Sequence, residues 1–412
     1  MSKKERSERT DSELRSRAIE IALEAFFTVG YSQTTADAIA KELQVSKKRL
    51  YQLFPSKEDL LHAVAVHVMQ IIEDLTDKLY NDHARPVDER VSALVTQISP
   101  HYARFRSPRI LKDIQRNAPN VWSEIDAWRQ IRYLRFRAII DDGIAQGEIR
   151  TDVGVEDILA VYSVMVNKCM DYATYEDTDV SSVELYRGLM DVFFKGILVS
   201  SVIASKSSDH PIEFAPRKEI IREAEALFYR YGYSKTTTDD IAKEAGVSKR
   251  TLYERYPRKS DLSLAVLLQA ARDLKGLCNE LSFDETESYV ANLQRLILGY
   301  TSVLGRFSIP FMLDLQAHTP ATYESLMRWR RRFLAGEIQR ALTSGQHLGL
   351  IRHDLALTST VLVLRIAIEN LLVPDARASM ANVSAPPISA VCSVLLSGIS
   401  PRTGRSPLQP KH

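Results

Sequence analysis

Cysteine is scarce in this chain of 412 residues. The three cysteines, Cys169, Cys278 and Cys392, lie far apart and form no Cys-x-x-Cys pair and no Cys/His cluster. This usage indicates a reducing compartment and argues against a zinc site. The polar start lacks the apolar core of a signal peptide, and no uncharged apolar run approaches the length that crosses a membrane. We therefore expect a cytoplasmic protein.

Charge of either sign is not in excess, because the net charge is only +2. Any basic patch must therefore be local. The sequence also offers no nucleophile paired with a base, no metal-ligand cluster and no phosphate-binding loop. We predict that the protein is not an enzyme and holds no cofactor and no metal. Strand-like alternation is absent, and apolar residues recur at three- and four-residue spacing, as at Ile19, Leu23 and Phe26. This periodicity predicts an all-α fold.

One segment occurs twice in the chain. Residues 30–64 return as residues 232–266 without a gap, and about half of the aligned residues in and around these segments are identical. A period of about two hundred residues is the size of a domain, not of a solenoid repeat. The likeness continues weakly beyond the segment, where Trp128 aligns with Trp329. Two copies of one module in one chain suggest a covalent dimer.

The duplication sets the predicted domain boundaries. Disordered tails are predicted at both ends, and a polar linker flanked by prolines joins the halves. Each half has a preserved head and a larger, diverged helical body that ends in two apolar helices. In chain order the segments are the tail 1–11, the head 12–60, the body 61–204, the linker 205–215, the head 216–262, the body 263–400 and the tail 401–412. The closing helices are predicted at 155–172, 183–203, 357–373 and 388–399.

Each head has the pattern of three short helices. Thr34-x-x-Asp37 and Thr236-x-x-Asp239 resemble capping boxes that open the second helix. Gly246 makes the tight turn after that helix in the second copy, because glycine accepts a left-handed backbone.

The third helix of each head has an apolar inner side and a basic outer side. Ser248 is placed to cap it in the second copy, and Leu50 and Phe54 face inward in the first. The outward residues are basic or hydroxylic. A helix, a tight turn and a second helix with a basic outer face predict a helix-turn-helix, whose second helix enters the major groove of DNA.

The ordered motif of both heads resembles that of the TetR family of transcriptional regulators. The shared elements are Phe-x-x-x-Gly-Tyr, Thr-Thr-x-x-x-Ile-Ala, Val-Ser-Lys-x-x-Leu-Tyr and Lys-x-x-Leu, which start at Phe26, Thr34, Val45 and Lys57 in the first copy and at Phe228, Thr236, Val247 and Lys259 in the second. The resemblance implies two tandem TetR-like halves, each with a DNA-binding head and a helical body for ligand binding and dimerisation. It also implies that the last two helices of each body pair, which would make one chain an intrachain pseudo-dimer.

The two heads depart from the family pattern in different ways. The first copy has Gln44 where the family prefers glycine, and a left-handed non-glycine residue costs about 1 kcal/mol. Arg49 replaces a usual threonine, and Arg258 replaces a capping serine. Leu53 and Arg255 stand at an outward position where the family has tyrosine or histidine. We therefore expect the two heads to read different bases.

The resemblance carries a set of DNA contacts over to this chain. Basic residues at the third helix suit guanine and phosphate, and hydroxyls at helix starts suit phosphate. Capping, packing or a solvated helix face are the structural alternatives for each of them. The expected residues are Thr34, Thr35, Ser46, Lys47, Lys48, Arg49, Tyr51, Lys57, Thr236, Thr237, Ser248, Lys249, Arg250, Thr251, Tyr253, Arg255 and Lys259.

The bodies carry fewer signals. Large apolar side chains that could line a ligand pocket are Tyr102, Phe105, Trp122, Trp128, Met165, Phe307, Phe311 and Trp329, although plain core is the commoner role of such residues. Arg365 and Glu369 lie four residues apart in an apolar helix. Such a pair belongs either to an interface, which we favour, or to a pocket.

These observations predict a ligand-responsive transcriptional regulator, expected to be a repressor. Its partners would be a double-stranded DNA operator and an unidentified small-molecule effector, with no membrane, and a nucleoid-associated location. The chain would act as a monomer, or as a dimer of chains with four heads. The alternative is a small-molecule-binding or scaffold protein that has lost DNA binding.

Overall fold

The computed structural model describes residues 3–102, 110–169, 178–197, 218–371 and 388–399. Within these ranges the chain is helical and has no β-strand, which confirms the all-α prediction. The helices are α1 Lys3–Thr28, α2 Ala36–Glu42, α3 Lys47–Leu53, α4 Lys57–Tyr80, α5 Val87–Tyr102, α6 Ile110–Asn117, α7 Pro119–Ala145, α8 Val155–Cys169, α9 Ser182–Ile197, α10 Glu219–Lys235, α11 Thr238–Glu244, α12 Lys249–Arg255, α13 Lys259–Glu280, α14 Thr286–Leu304, α15 Ile309–His318, α16 Pro320–His347, α17 Leu357–Leu371 and α18 Ile388–Ile399. None of these described helices is long and apolar enough to cross a membrane.

The chain divides into two compact units. The first comprises Met1–Val155 and Met165–Val199, and the second comprises Glu156–Val164 and Ser200–His412. The predicted linker and the C-terminal tail lie outside the described residues. The predicted N-terminal tail requires a correction, because α1 begins at Lys3 and Asp11 on this helix pairs with Arg49. The predicted closing helices correspond to α8, α9, α17 and α18.

The head of each unit is built around one apolar face of its first helix. Ala18, Ala22 and Phe26 follow one another at four-residue spacing on α1, and all three are fully buried. In the second unit Phe228 takes the place of Phe26. The helix α10 is broken at Gly232, where φ is +82°. This positive φ favours glycine, and a Cβ atom here would lie 3.0 Å from the Asp314 carboxylate, a close contact.

Buried arginines tie the helices of the first body together. Arg90 on α5 is fully buried, and its guanidinium donates to the carbonyls of Leu79 and Tyr80 at the end of α4. It also lies 3.3 Å from Asp142 on α7. Because each of the three guanidinium nitrogens has an acceptor, the buried charge is stabilised by hydrogen bonds.

The weak part of the duplication is visible in the structure as well. The helices α7 and α16 are each followed by a glycine with φ of +71°, Gly147 and Gly349. A buried arginine follows in each unit and pairs with an aspartate two residues later, Arg150 with Asp152 and Arg352 with Asp354. The same backbone turn and ion pair at matching positions support the alignment of the two bodies.

Candidate nucleic-acid interface

The turn between the second and third helices of each head has the same geometry in both units. Gln44 has φ of +62° and Gly246 has φ of +63°. In the first head the backbone N–H of Gln44 donates to the Lys41 carbonyl at 3.1 Å. In the second head the backbone N–H of Gly246 donates to the Lys243 carbonyl at 3.2 Å. The sequence prediction of a left-handed turn is therefore confirmed, including the strained glutamine in the first head.

The helix before the turn is capped one residue later than the sequence suggested. Thr35 and Thr237 are the N-caps of α2 and α11, and a capping box exists only in the second head, between Thr237 and Asp240. Thr34 and Thr236 are buried, and their hydroxyls donate at 2.7 Å to the carbonyls of the glycines that precede the turn into α2 and α11. We therefore remove these two threonines from the expected DNA contacts.

The third helix of each head begins at a serine cap. The Arg49 amide donates to the Ser46 hydroxyl, and the Thr251 amide donates to the Ser248 hydroxyl, both at 3.1 Å. Both serines are exposed. These caps fix where α3 and α12 start, and so they fix which residues of each helix face outward.

The basic residues of α3 differ in how firmly they are held. Lys47 lies 2.7 Å from Asp37 on α2, and this hydrogen bond and charge raise the pKa of the lysine. Arg49 is held by Asp11 of α1 and by Gln52. Lys48 is exposed and forms no ion pair with any described residue. Lys48 is therefore the cation of this helix that is readiest for a new anion.

The second head repeats one of these pairs and changes the rest. Lys249 pairs with Asp239, whose hydrogen bond and charge raise the pKa of the lysine. Arg250 is 89% exposed and lies 2.9 Å from Glu254 on the same helix. Arg255 is exposed and has no ion pair within the described part of the chain. The second head therefore has two exposed arginines on its third helix, whereas the one arginine on the third helix of the first head is half-buried. Arginine suits guanine edges and phosphates.

Hydroxyl groups flank both basic faces. Tyr51 and Tyr253 are exposed by 39% and 45%, which leaves their hydroxyls accessible. The Tyr253 hydroxyl lies 2.8 Å from the Thr238 hydroxyl, so its position is already set. Thr251 is half-buried.

Leu53 does not face outward. It is only 8% exposed and belongs to the apolar core of the first head, and its carbonyl accepts a hydrogen bond from Arg15 at 2.5 Å. The expectation that Leu53 stands at an outward position is therefore wrong. The aligned residue in the second head is the exposed Arg255, so the two heads differ at this position by the presence of a charged side chain.

Lys57 and Lys259, expected to bind the DNA backbone, are half-buried at the starts of α4 and α13. Each ammonium lies 4.3 Å from the centre of a tyrosine ring, Tyr31 and Tyr233 respectively. The Lys259 ammonium also donates to the carbonyls of Tyr233 and Thr236 at the end of α10, at 2.8 Å and 3.1 Å. Burial lowers the pKa of both lysines. An ammonium has three donors, so the third remains available to a phosphate.

A carboxylate from the body binds the turn of each head, and it is not among the site residues predicted from the sequence. Asp113 on α6 accepts hydrogen bonds from the amide and hydroxyl of Ser32, and Asp314 on α15 accepts one from the Ser234 amide at 2.7 Å. Burial opposes the ionisation of Asp113, but the hydrogen bonds from Ser32 and Asn117 outweigh it and lower the pKa of Asp113. The sequence does contain a signal, because both copies have Asp-x-Gln at matching positions.

The same body helices complete the apolar cores of the heads. Ile110 and Ile114 of α6 belong to the core of the first head, and Phe311 and Leu315 of α15 belong to the core of the second. Each head therefore includes a helix that lies outside the helix-turn-helix segment. A movement of α6 or α15 would carry its head along, because the two share a close-packed core.

The residues expected to bind a ligand are dispersed. Phe307 and Phe311 stack on each other at the second head, and Trp122 packs against the core of the first. The Trp128 indole donates to Glu73 at 2.8 Å, and Trp329 stacks on Phe333. Met165 is fully buried. Phe105 and the side chain of Tyr102 lie outside the description. Most of these aromatic residues thus have packing roles.

Metal ligands do not gather in the described residues, where no group of three or more His, Cys, Asp or Glu side chains is placed to hold an ion.

Both heads match one protein family. The sequence model of the bacterial regulatory proteins of the tetR family matches residues 18–64 and again residues 220–266. The chain is 22% identical over 168 residues to the uncharacterized HTH-type transcriptional regulator YvaF of Bacillus subtilis. The matched segment covers 41% of this chain and 87% of that protein. A stretch of 73 residues is 34% identical to an uncharacterized HTH-type transcriptional regulator of Mycobacterium tuberculosis, and covers 18% of this chain and 36% of that protein.

Solved structures resemble half of the chain at a time. The transcriptional regulator FadR from Bacillus subtilis, solved in complex with stearoyl-CoA, is 18% identical and has a TM-score of 0.36, and the match covers 43% of this chain and 96% of that one.

Proposed function

The chain is a tandem of two TetR-family units, and from this premise we propose that it is a ligand-responsive transcriptional regulator that acts as a repressor. The heads bind a double-stranded DNA operator in the cytoplasm, at the nucleoid. A small molecule bound in one or both bodies changes the affinity for that operator. Effector and operator then weaken or strengthen each other's binding by the same factor.

The observation that carries this proposal is the exposed basic face of the third helix in each head. Lys48 on α3, and Arg250 and Arg255 on α12, are exposed on helices whose opposite sides are buried in the head cores. Cations on such a helix suit the phosphates and guanine edges of a major groove. Loss of these outward basic residues would have favoured the scaffold alternative, and the residues are present.

We infer that one chain supplies both heads of a functional pair. Two heads in successive major grooves are about 34 Å apart along the DNA, and here one chain contains both. A homodimer of identical heads must read a palindrome, because its symmetry repeats each contact. A fused pair is free of that constraint.

The two heads support an operator with unequal halves. Arg49 aligns with Thr251, and the buried Leu53 aligns with the exposed Arg255. An arginine at a base edge favours guanine. We therefore propose an operator with two different half-sites in a fixed orientation.

Selection of operators from random double-stranded DNA by the full chain tests both points. Arg49→Ala should relax the base preference in one half of the selected site and Arg255→Ala in the other, each at a cost of about 1–3 kcal/mol if it reads a base. The light-scattering mass of the complex should correspond to one chain per operator. A perfect palindrome whose halves respond equally to both substitutions would contradict the asymmetric operator.

The salt dependence of binding separates the regulator from a scaffold. Affinity should fall steeply with salt, because bound phosphates release counterions. Lys48→Ala should lower the salt slope by about one. Lys78→Ala is a matched control, because it removes the same charge from an exposed position near the C-terminal end of α4. This position lies about 30 Å along α4 from Lys57, the first residue of that helix. Binding that is insensitive to salt, or absent, would favour the scaffold protein.

A further inference from the structure

The helix α1 lies against the third helix of the first head. Asp11 on α1 forms an ion pair with Arg49 on α3, and Arg15, about one turn later on α1, donates to the Leu53 carbonyl at the end of α3. The Arg15 guanidinium also lies 4.3 Å from the centre of the Phe54 ring. Residues 11 and 15 are four apart on α1, as residues 49 and 53 are on α3, so one face of α1 runs alongside α3.

The Arg49 guanidinium forms two hydrogen bonds within the first head and retains further donors. One terminal nitrogen donates to the Asp11 carboxylate, and the other donates to the side-chain oxygen of Gln52 at 3.2 Å. A guanidinium has five N–H donors in a fixed plane, so three of them remain for another acceptor. The arginine is therefore held in one orientation and can still bind a base.

A contribution to stability does not account for the pair of Asp11 and Arg49. The two side chains are 42% and 36% exposed. Ion pairs between exposed side chains contribute little to stability, because water screens the charges and ordering two side chains costs entropy. Orientation is a different effect, since an arginine that is already ordered loses less conformational entropy when it binds a ligand.

The ion pair belongs to the first head alone. The residue aligned with Arg49 in the second head is Thr251, which has no charge and whose hydroxyl lies 2.8 Å from that of Ser248. Asp11 also precedes the segment that matches the family model, residues 18–64. The contact therefore comes from outside the part that the two heads have in common.

We propose that Asp11 is a positioning residue for DNA recognition, which holds the Arg49 guanidinium in the orientation that donates to a guanine edge. Guanine presents two acceptors in the major groove, and arginine can donate to both. Asp11 raises the preference of the first head for guanine at one position, while its negative charge weakens the attraction to DNA of any sequence. The inference rests on the proposed function, because it requires that the chain bind DNA.

The affinities of the full chain for its selected operator and for random duplexes of the same length test the proposal. Asp11→Ala should lower the ratio of the two affinities about three- to tenfold, because Arg49 regains conformational freedom. It should also raise the affinity for random DNA, because one negative charge is lost. Glu24→Ala is a matched control that removes a negative charge from an exposed position about 20 Å further along α1, and it should leave the ratio unchanged.

The two affinities separate positioning from other roles of Asp11. Loss of a structural contact would lower both affinities together, and release of a contact that blocks Arg49 would raise both together. Either result overturns the proposal. Asp11→Asn keeps an oxygen acceptor without the charge, so its ratio should lie between those of the unaltered chain and Asp11→Ala. The melting temperature and the exchange protection of residues 36–54 verify that each variant is folded.

A double-mutant cycle determines whether Asp11 acts through Arg49. In an Arg49→Ala background, Asp11→Ala should leave the affinity ratio unchanged. In selections from random DNA, each single variant should broaden the same base-pair position of one half-site. Additive effects, or a change in the other half-site, would overturn the assignment.

The unaltered chain keeps the two proposals apart. If it selects no operator, the proposed function fails and this inference fails with it. If it selects an operator and Asp11→Ala has the same affinity ratio, the regulator stands and only the role of Asp11 is refuted.

Discussion

The left-handed turn of the heads offers an experiment in which one chain is its own control. Gln44 and Gly246 have the same backbone conformation, with φ of +62° and +63°. A Cβ atom at Gly246 would have nothing within 4 Å, so the two positions differ by backbone preference and not by packing. We expect Gln44→Gly to stabilise the first head and Gly246→Gln to destabilise the second.

The magnitude follows from two opposing effects. A left-handed backbone costs a non-glycine residue about 1–2 kcal/mol. Glycine in turn gives the unfolded chain more freedom, which costs about 0.4–1 kcal/mol. The net change is then on the order of 0.5–1 kcal/mol, which alters the opening equilibrium of a head about two- to fivefold.

Hydrogen exchange read by mass spectrometry measures this change separately in each head. Peptides covering residues 36–54 and 238–256 report on the two turns, and in each variant the unchanged head serves as the reference. Gly246→Ala should destabilise the second head much as Gly246→Gln does, since the cost lies in the backbone. The reasoning is refuted if Gln44→Gly leaves the protection of the first head unchanged or lowers it, or if Gly246→Ala costs nothing.

Three further substitutions have expected outcomes. Tyr300→Phe should raise the free energy of unfolding by about 1–3 kcal/mol, measured by urea denaturation, because it removes a buried hydroxyl that has no hydrogen-bond partner among the described residues; a loss of stability would mean that the hydroxyl is bonded in solution. Thr237→Ala should lower the exchange protection of α11 by about 1 kcal/mol, because the N-cap is lost, and equal protection would show that the cap contributes nothing. Asp113 has a folded pKa below its ordinary value of 3.8, so its contribution to stability is present above pH 3.8 and is lost as the pH falls through the folded pKa. Asp113→Asn should remove that part of the acid dependence from the first head, and an unchanged pH profile of exchange would exclude the aspartate as its source.

The heads were more predictable from the sequence than the bodies, for a physical reason. The turn at Gln44, the cap at Ser248 and the buried Leu50 follow from local spacing and backbone preference, and the structure has them where the sequence placed them. Thr34 was misjudged because its hydroxyl has a nearby carbonyl to bond, and local pattern does not decide between that carbonyl and solvent. Leu53 was misplaced because its burial depends on α1, which lies far away in sequence.

The bodies depend on contacts between distant segments, which no local pattern fixes. The bond from Ser32 to Asp113 joins residues 81 positions apart. Glu369 contacts Arg330 of α16 as well as Arg365, and only the pair Arg365 and Glu369 was visible as a spacing. Long apolar helices leave their partners undetermined, because many faces satisfy the same period.

The shared core of head and body has a consequence for anyone who cuts or recombines this protein. The recognisable sequence module ends at residues 64 and 266, whereas the folded module extends through Ile114 in the first unit and Leu315 in the second. A head excised at the end of the recognisable module would expose the apolar surface that α6 or α15 now covers. A working chimera would therefore have to exchange these helices together with the head, so the smallest transplantable part of the protein is longer than the part that sequence comparison detects.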